Sequence, residues 1–287
     1  MPFVRTDDRV RIYYEEHGEG TPLVLAYGIG GNADLWDTNR EALAARHRLV
    51  LWEPRGHARS DSPADPAKYS FARWTLDLKA VLDQLKIGKA HVGGLSLGAG
   101  IATRFTLRFP ARVRSLLVTN SSSAAGLPLS VEHILMRAQS IKITLEQGMD
   151  AMAEFAMATN PNVLARLAID PGAKDEFYAY YRRLTPIGYA NALRALLAMD
   201  HITAALPKIR VPTLLIGGDL DPSLAPMKVM HKKVRGSKLI VLSPASHFAN
   251  RDQPAAWNAA VVAFLAKVDR LSAGDGCARA TGARRRR

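Results

Sequence analysis

The residues best suited to chemistry lie in Gly94-Leu95-Ser96-Leu97-Gly98, where a short apolar run meets a helical pattern. A strand-to-helix turn this sharp leaves no room for a bulky Cβ on either side of its apex, and Gly94 and Gly98 meet that condition. The turn exposes the Ser96 hydroxyl as a nucleophile. The N–H of Leu97 opens the helix and can stabilise a developing oxyanion. The pattern predicts acyl transfer through a serine.

A serine nucleophile needs a general base and an acid that orients the base. His247 follows the last apolar strand run, and Asp219 and Asp221 follow the run before it. Pro222 biases Asp221 toward an extended conformation that suits a fixed acceptor. We therefore predict Asp221 as the orienting acid and Asp219 as a residue that caps its own turn. His57 is the competing base, but its polar loop favours a role in ordering that loop.

A second oxyanion donor is expected in the glycine-rich loop that follows an early apolar strand run. Glycines there let backbone amides turn toward a ligand, and the N–H of Ile29 is our candidate. An ordinary strand-to-helix turn is the alternative. The residues predicted to line the substrate pocket come from this loop, from a helical insertion and from the position after His247: Tyr27, Gly28, Met152, Phe155 and Phe248.

The elements that must position these residues alternate between apolar strand runs and amphipathic helical patterns. This alternation predicts an α/β fold, a mostly parallel sheet with helices on both faces, in which ligands bind at the carboxyl ends of the strands. The segment between Asn120 and Thr213 far exceeds the roughly twelve residues that a crossover requires. We therefore predict a core of residues 1–122 and 207–268 and a helical cap of residues 123–206.

The composition predicts a soluble protein without nucleic-acid or membrane partners. Hydrophobic residues make up 48% and charged residues 23% of the 287. No apolar run approaches the roughly twenty residues of a membrane span. The net charge of +13 is not gathered into basic runs interleaved with aromatic residues. The N-terminal sequence lacks the pattern of a signal peptide, which predicts a cytoplasmic location.

The chain changes composition near its C-terminal end. Residues 269–287 contain six arginines and little apolar content, so we predict a disordered basic tail. Cys277 is the only cysteine, which argues against a disulfide framework or a thiol metal site. Neither a metal-binding helix motif nor a phosphate-binding loop is recognisable. We expect no metal, no cofactor, a small-molecule substrate, and a monomer or homodimer.

The order of serine, acid and histidine resembles that of the α/β-hydrolase superfamily, from Phe3 to about Val268. The stretches 51–61 and 90–96 are similar to the capped group that contains 3-oxoadipate enol-lactonases, related esterases and carbon–carbon bond hydrolases. The resemblance implies the α/β-hydrolase fold and hydrolysis of a small carboxylic ester or lactone through an acyl-enzyme on Ser96. Three alternatives stay open: carbon–carbon cleavage of a β-diketone-like substrate, perhydrolysis, and a non-catalytic small-molecule receptor.

Overall fold

A computed structural model of the protein describes residues 2–283, with side chains described for residues 2–271. Eight strands in this range form a single sheet: β1 (Phe3–Arg5), β2 (Arg11–His17), β3 (Thr21–Ala26), β4 (His47–Trp52), β5 (Ala90–Leu95), β6 (Val113–Thr119), β7 (Thr213–Gly218) and β8 (Lys238–Leu242). Their spatial order is β1-β2-β4-β3-β5-β6-β7-β8. β2 is antiparallel to both of its neighbours, and the remaining pairs are parallel. The mostly parallel sheet is therefore confirmed.

Ten α-helices lie in the same range: α1 (Asp37–Ala44), α2 (Phe71–Gln84), α3 (Leu97–Arg108), α4 (Val131–Thr159), α5 (Pro161–Ile169), α6 (Ala173–Arg182), α7 (Pro186–Leu197), α8 (Leu224–Lys233), α9 (Ala249–Asp252) and α10 (Pro254–Ala283). Because side chains alternate along a strand, β3 contributes to two cores. Leu23 and Leu25 pack in the layer that contains α1 and α10. Val24 and Ala26 pack in the layer that contains α2 and α3. Helices thus cover both faces, as the α/β fold class requires.

Four helices, α4 to α7, occupy the segment between β6 and β7 for which the sequence predicts a cap. α4 packs against the other three. It is interrupted at Gly148, whose φ of 85° lies in the left-handed region that glycine adopts without strain. The break divides α4 into two helical parts.

Both ends of the described chain form regular structure. Residues 3–17 form β1 and β2, because a turn at Arg9 with a φ of 66° folds one strand onto the other. The closing helix α10 continues past Val268. The predicted start of a disordered tail at residue 269 therefore lies too early in the chain. Asp269 lies in this helix, and its carboxylate pairs with two buried histidines of the sheet. The terminal arginines 284–287 lie outside the described residues.

None of the helices described here is both long enough and apolar enough to cross a membrane.

Candidate active site

Ser96 lies at the apex of the turn between β5 and α3, with a φ of 52°. Serine rarely adopts this left-handed conformation, so the surrounding structure must enforce it. A Cβ built on Gly94 or on Gly98 would stand 2.2 Å from the Ala26 carbonyl oxygen, and only glycine fits at either position. The Ser121 hydroxyl donates a hydrogen bond to the Ser96 carbonyl oxygen at 2.7 Å. Close packing at the two glycines and the hydrogen bond from Ser121 therefore fix the conformation of the turn.

His247 and Asp221 are joined by a hydrogen bond in which His247 Nδ1 donates to Asp221 Oδ2 at 3.0 Å. Burial raises the pKa of Asp221, but the charge of His247 and hydrogen bonds from His247 and Ser223 outweigh it. Together they hold that pKa well below its usual range. The carboxylate is therefore charged at neutral pH. By fixing Nδ1 as the donor, it leaves Nε2 of His247 available as a base.

Ser96 and His247 border one cavity of about 330 Å³ beneath the cap. Within the described residues, Ser96 Oγ makes no hydrogen bond to His247. The contact between a catalytic nucleophile and its base often tightens only in the substrate complex, so this geometry is compatible with a nucleophile and base pair. His57, the competing base, does not line the cavity. Its Nδ1 donates to the Arg55 carbonyl oxygen at 3.2 Å, which is the loop-ordering role expected of it.

The two candidate oxyanion donors are backbone amides from different segments of the chain, the start of α3 and the loop after β3. Leu97 is the first residue of α3, so its N–H has no acceptor within the helix. Ile29 lines the cavity on the glycine-rich loop. Gly28 allows this loop to approach closely, because a Cβ there would stand only 3.0 Å from Ser96 Cβ. Neither amide donates a hydrogen bond to another group in the described part of the chain, so both N–H groups are available to a ligand.

Comparison with known proteins assigns the family. Residues 21–254 match the family described as alpha/beta hydrolase fold. The chain belongs to this family. The α/β-hydrolase fold predicted from the sequence is confirmed, and the protein is an enzyme of the hydrolase class.

Similar proteins include several hydrolases. The chain is 29% identical over 277 residues to a protein named as a carbamate hydrolase, RutD, from Azorhizobium caulinodans, covering 94% of this chain and 100% of that protein. It is 30% identical over 248 residues to 3-oxoadipate enol-lactonase 1 of Acinetobacter baylyi, covering 81% and 84% of the two chains. A solved carboxylesterase structure from Nitrososphaera gargenis aligns with a TM-score of 0.83 at 26% identity, covering 94% and 99%.

Two partners of Asp221 in this α/β-hydrolase were missed by the sequence analysis. Asn120 Nδ2 donates to Asp221 Oδ2 at 2.6 Å and to the Ser246 carbonyl oxygen at 3.2 Å. The Ser223 N–H donates to Oδ1 at 2.9 Å, and its hydroxyl donates to Oδ2. Asn120 immediately follows β6, and its position at the carboxyl end of a parallel strand was the available signal.

Asp219 has different contacts from Asp221. Its Oδ2 accepts from the Ser243 hydroxyl at 2.5 Å, and its Oδ1 accepts from the Ala245 N–H at 2.9 Å. These hydrogen bonds lower the pKa of Asp219. The N–H groups of Asp219 and Leu220 lower this pKa as well, so Asp219 also interacts with its own turn as predicted. It ties together the loops after β7 and β8, because those strands are neighbours and their loops meet.

The predicted pocket residues surround the cavity on several sides: Tyr27, Gly28, Met152, Phe155 and Phe248. The Tyr27 hydroxyl donates to Asn250 Oδ1 at 3.1 Å, so this hydroxyl has a structural partner in the core. The Phe248 ring packs edge to face on Phe177 of α6 and on His247, with centroid distances of 5.4 and 5.8 Å. The apolar wall of the pocket thus continues from His247, the candidate general base, into the cap.

Arg137 of α4 also lines the cavity, and the sequence analysis did not identify it. It is one of many arginines in a basic chain, and the helical pattern around it indicated only packing. Its isolation from acidic side chains could not be read from the sequence. The position of Arg137 gives the cap a charged group inside an otherwise largely apolar pocket.

A second group of titratable residues lies away from this cavity and consists of His47, His91 and Asp269. Their potential ligand atoms lie within 4.8 Å of one another, although the sequence predicts no metal site. Asp269 pairs with Nε2 of His47 at 3.3 Å and with Nε2 of His91 at 3.0 Å. Ser115 Oγ is hydrogen-bonded to Nδ1 of His91 at 2.7 Å. Hydrogen bonding by itself accounts for this arrangement, which ties α10 to the sheet.

Proposed function

We propose that this α/β-hydrolase cleaves a small carboxylic ester or lactone through an acyl-enzyme on Ser96. The observation that carries the proposal is the cavity of about 330 Å³ bordered by Ser96 and by a histidine whose Nδ1 is bound to Asp221. Its volume suits a small ligand, and its aromatic and methionine walls suit an apolar acyl or alcohol group. Relatives named as enol-lactonase and carboxylesterase support the same bond type.

The proposed reaction begins when Ser96 Oγ attacks the acyl carbon while His247 Nε2 takes the hydroxyl proton. The carbonyl oxygen becomes an oxyanion, which accepts hydrogen bonds from the Ile29 and Leu97 amides. When the intermediate collapses, the bond to the leaving oxygen breaks, and His247 returns its proton to that oxygen. Asp221 stabilises the imidazolium between these two steps without taking up a proton.

The second half of the reaction uses water as the nucleophile. His247 removes a proton from water as the water oxygen bonds to the acyl carbon of the ester on Ser96. Collapse of the second intermediate breaks the bond to Ser96 Oγ, and the proton on His247 returns to the serine. The products are a carboxylic acid and an alcohol, or a hydroxy or oxo acid from a lactone. No cofactor is needed for this sequence of proton transfers.

Covalent labelling tests the nucleophile directly. A fluorophosphonate probe should modify the wild-type protein once and should leave Ser96→Ala unmodified, as intact-mass measurement would record. Ser122 also lines the cavity and provides a matched control, since Ser122→Ala should still be labelled. Label that persists in Ser96→Ala would contradict the assignment. An unlabelled wild-type protein would instead favour a small-molecule receptor that retains the fold.

A substrate panel tests the bond type. Short 4-nitrophenyl esters and small lactones should be hydrolysed by the wild-type protein, and hydrolysis should fall to background in Ser96→Ala. If these substrates are untouched while a vinylogous β-diketone is cleaved, the ester and lactone proposal is wrong. Perhydrolysis is separated by measuring peracid formation with hydrogen peroxide and the same esters.

A further inference from the structure

Arg137 is a partly buried cation that lines the candidate catalytic cavity and has no counter-ion among the described residues. Its Nη1 atom is buried and has no hydrogen-bond partner. Within residues 2–271 its guanidinium forms no ion pair. Burial lowers the pKa of Arg137, an effect that Tyr189 opposes, but a guanidinium remains charged at any physiological pH. An unpaired charge that is withdrawn from water costs free energy. A bound anion would lower this cost, because it would supply the missing counter-ion.

The other groups that line the cavity do not provide that partner. Asp221 is the one acidic side chain among the described lining residues, and His247, Ser223 and Asn120 already bind it. Tyr189 is neutral near pH 7, because burial raises its pKa well above the ordinary value. The cavity therefore carries an excess of positive charge in its cap.

The cavity that contains this charge is also lined by the loop that carries the candidate oxyanion donor. The rings of Tyr181 and Tyr189 pack edge to face with centroids 5.7 Å apart. Both rings lie 3.8 Å from the position that a Cβ on Gly30 would occupy. Tyr189 and Arg137 line the same cavity as Ser96 and Ile29. A ligand that fills this cavity can therefore contact both the acyl centre and Arg137.

We propose that Arg137 binds a carboxylate of the substrate, so that the enzyme acts on small esters or lactones that carry an additional acid group. A single guanidinium matches a carboxylate in charge and can donate two parallel hydrogen bonds to it. Hydrogen bonds from Arg137 would replace those that the carboxylate loses when it leaves water. The substrate class rests on the proposed function, whereas the carboxylate site itself can be tested without turnover.

Two matched esters test the substrate class. The mono-4-nitrophenyl ester of glutaric acid carries a terminal carboxylate, and its methyl ester is the neutral counterpart. Arg137→Gln should lower kcat/KM for the acid by about 10- to 100-fold, mainly through KM, because a buried charge-assisted hydrogen bond is lost. The neutral ester should change by no more than about twofold. Arg137→Lys should recover part of the loss, since it restores the charge without the planar fork.

Lys142 of the same helix is the control for a general charge effect. It is exposed and does not line the cavity, so Lys142→Gln should leave the preference for the acid unchanged. Equal losses for the acid and the neutral ester in Arg137→Gln would overturn the proposal. The proposal would also be overturned if Arg137→Gln kept the wild-type preference for the acid over the neutral ester.

A binding measurement separates this inference from the chemistry. Glutarate should raise the melting temperature of Ser96→Ala and should not raise that of Ser96→Ala with Arg137→Gln. If glutarate stabilises the first variant while the wild-type protein hydrolyses neither ester, the carboxylate site stands and the ester proposal fails. If both esters are hydrolysed and glutarate leaves both melting temperatures unchanged, the ester proposal stands and the role of Arg137 is wrong.

Discussion

Two aspartates leave β7 two residues apart, and their surroundings suit them to different tasks. Asp221 is buried and accepts hydrogen bonds from His247, Ser223 and Asn120. Asp219 is exposed and bridges the loops after β7 and β8. Only the first can orient an imidazole and stabilise its charged form, because only the first contacts it.

We therefore expect Asp221→Asn to lower kcat by orders of magnitude. The loss would reach about 10⁴-fold if the proposed triad behaves like the serine-protease template, because an amide favours the wrong imidazole tautomer. Asp219→Asn should keep most of the activity and lose a little stability, since only exposed loop contacts are weakened. Steady-state kinetics on a 4-nitrophenyl ester would measure both variants. A larger loss for Asp219→Asn, with circular dichroism showing both proteins folded, would reverse the assignment.

At the scale of elements, two histidines are buried in or beside the strands next to the site. His91 is part of β5, and His57 lies in the loop after β4. Burial lowers the pKa of each ring to about 4, although Asp269 opposes the shift at His91 and hydrogen bonds to backbone carbonyls oppose it at His57. Nε2 of His57 is buried without a partner in the described chain. Both rings are neutral in the folded protein near pH 7.

These histidines predict that the free energy of unfolding decreases as the pH falls from about 6.5 toward 4. In the unfolded chain each ring binds a proton near pH 6.5, whereas in the folded chain it does so only near pH 4. Unfolding therefore takes up protons in this window. For each histidine, the free energy of unfolding falls by about 1.4 kcal/mol for every pH unit. Urea denaturation at pH 7.0, 6.0 and 5.0 would measure the slope.

The His57→Asn variant isolates one of these contributions. Asparagine keeps a donor for the Arg55 carbonyl oxygen, which His57 Nδ1 binds in the folded protein. The variant should lose about half of the pH dependence between pH 6.5 and 4.5. A wild-type unfolding free energy that stays constant across this window would show that the buried rings are protonated in the fold.

At the scale of the whole molecule, charged contacts connect the cap to the core. Arg166 of α5 donates to Asp252 of α9 at 2.9 Å, and the Asp252 side chain is fully buried. Arg251 of α9 donates to Glu176 of α6 at 2.9 Å. Both arginines sit largely out of solvent, so these pairs are less screened than exposed ion pairs. They hold the cap over the cavity that it shares with the core.

The closing helix α10 is attached to two interior strands of the sheet through Asp269. Asp269 of α10 is hydrogen-bonded to His47 of β4 and to His91 of β5, two strands that are separated by β3. We expect truncation after Arg270 to leave the melting temperature nearly unchanged. Truncation after Val268 should lower the melting temperature by several degrees, because two buried imidazoles lose the carboxylate that accepts their hydrogen bonds. A buried donor left without its acceptor destabilises the fold by about 1–3 kcal/mol.

Thermal unfolding followed by circular dichroism would compare the two truncations with the full chain. Asp269→Asn in the full chain is the matched variant, since it weakens the acceptor without shortening the helix. Equal melting temperatures for both truncations would show that Asp269 does not anchor α10. A loss of several degrees on truncation after Arg270 would show that the segment beyond it docks on the protein.

The amino-acid pattern alone was enough to predict the fold class and the turn at Ser96. Strand and helix periodicity depends on neighbouring residues, and the glycines on both sides of Ser96 follow from steric limits within one turn. The same local reasoning separated Asp221 from Asp219 through Pro222 and located His247 after a strand. The roles of these residues in catalysis remain proposals. Their positions were predictable because the carboxyl ends of parallel strands meet at one edge.

Which distant groups meet, and which charges are left unpaired, became apparent only in the folded structure. Asn120 reaches Asp221 because β6 and β7 are neighbours in the sheet. Asp269 of α10 meets two buried histidines that belong to different strands. The isolation of Arg137 depends on every element around the cavity, since a missing counter-ion is a property of the whole enclosure. Local sequence patterns carry no information about such contacts, because packing of the complete fold determines the distances between remote side chains.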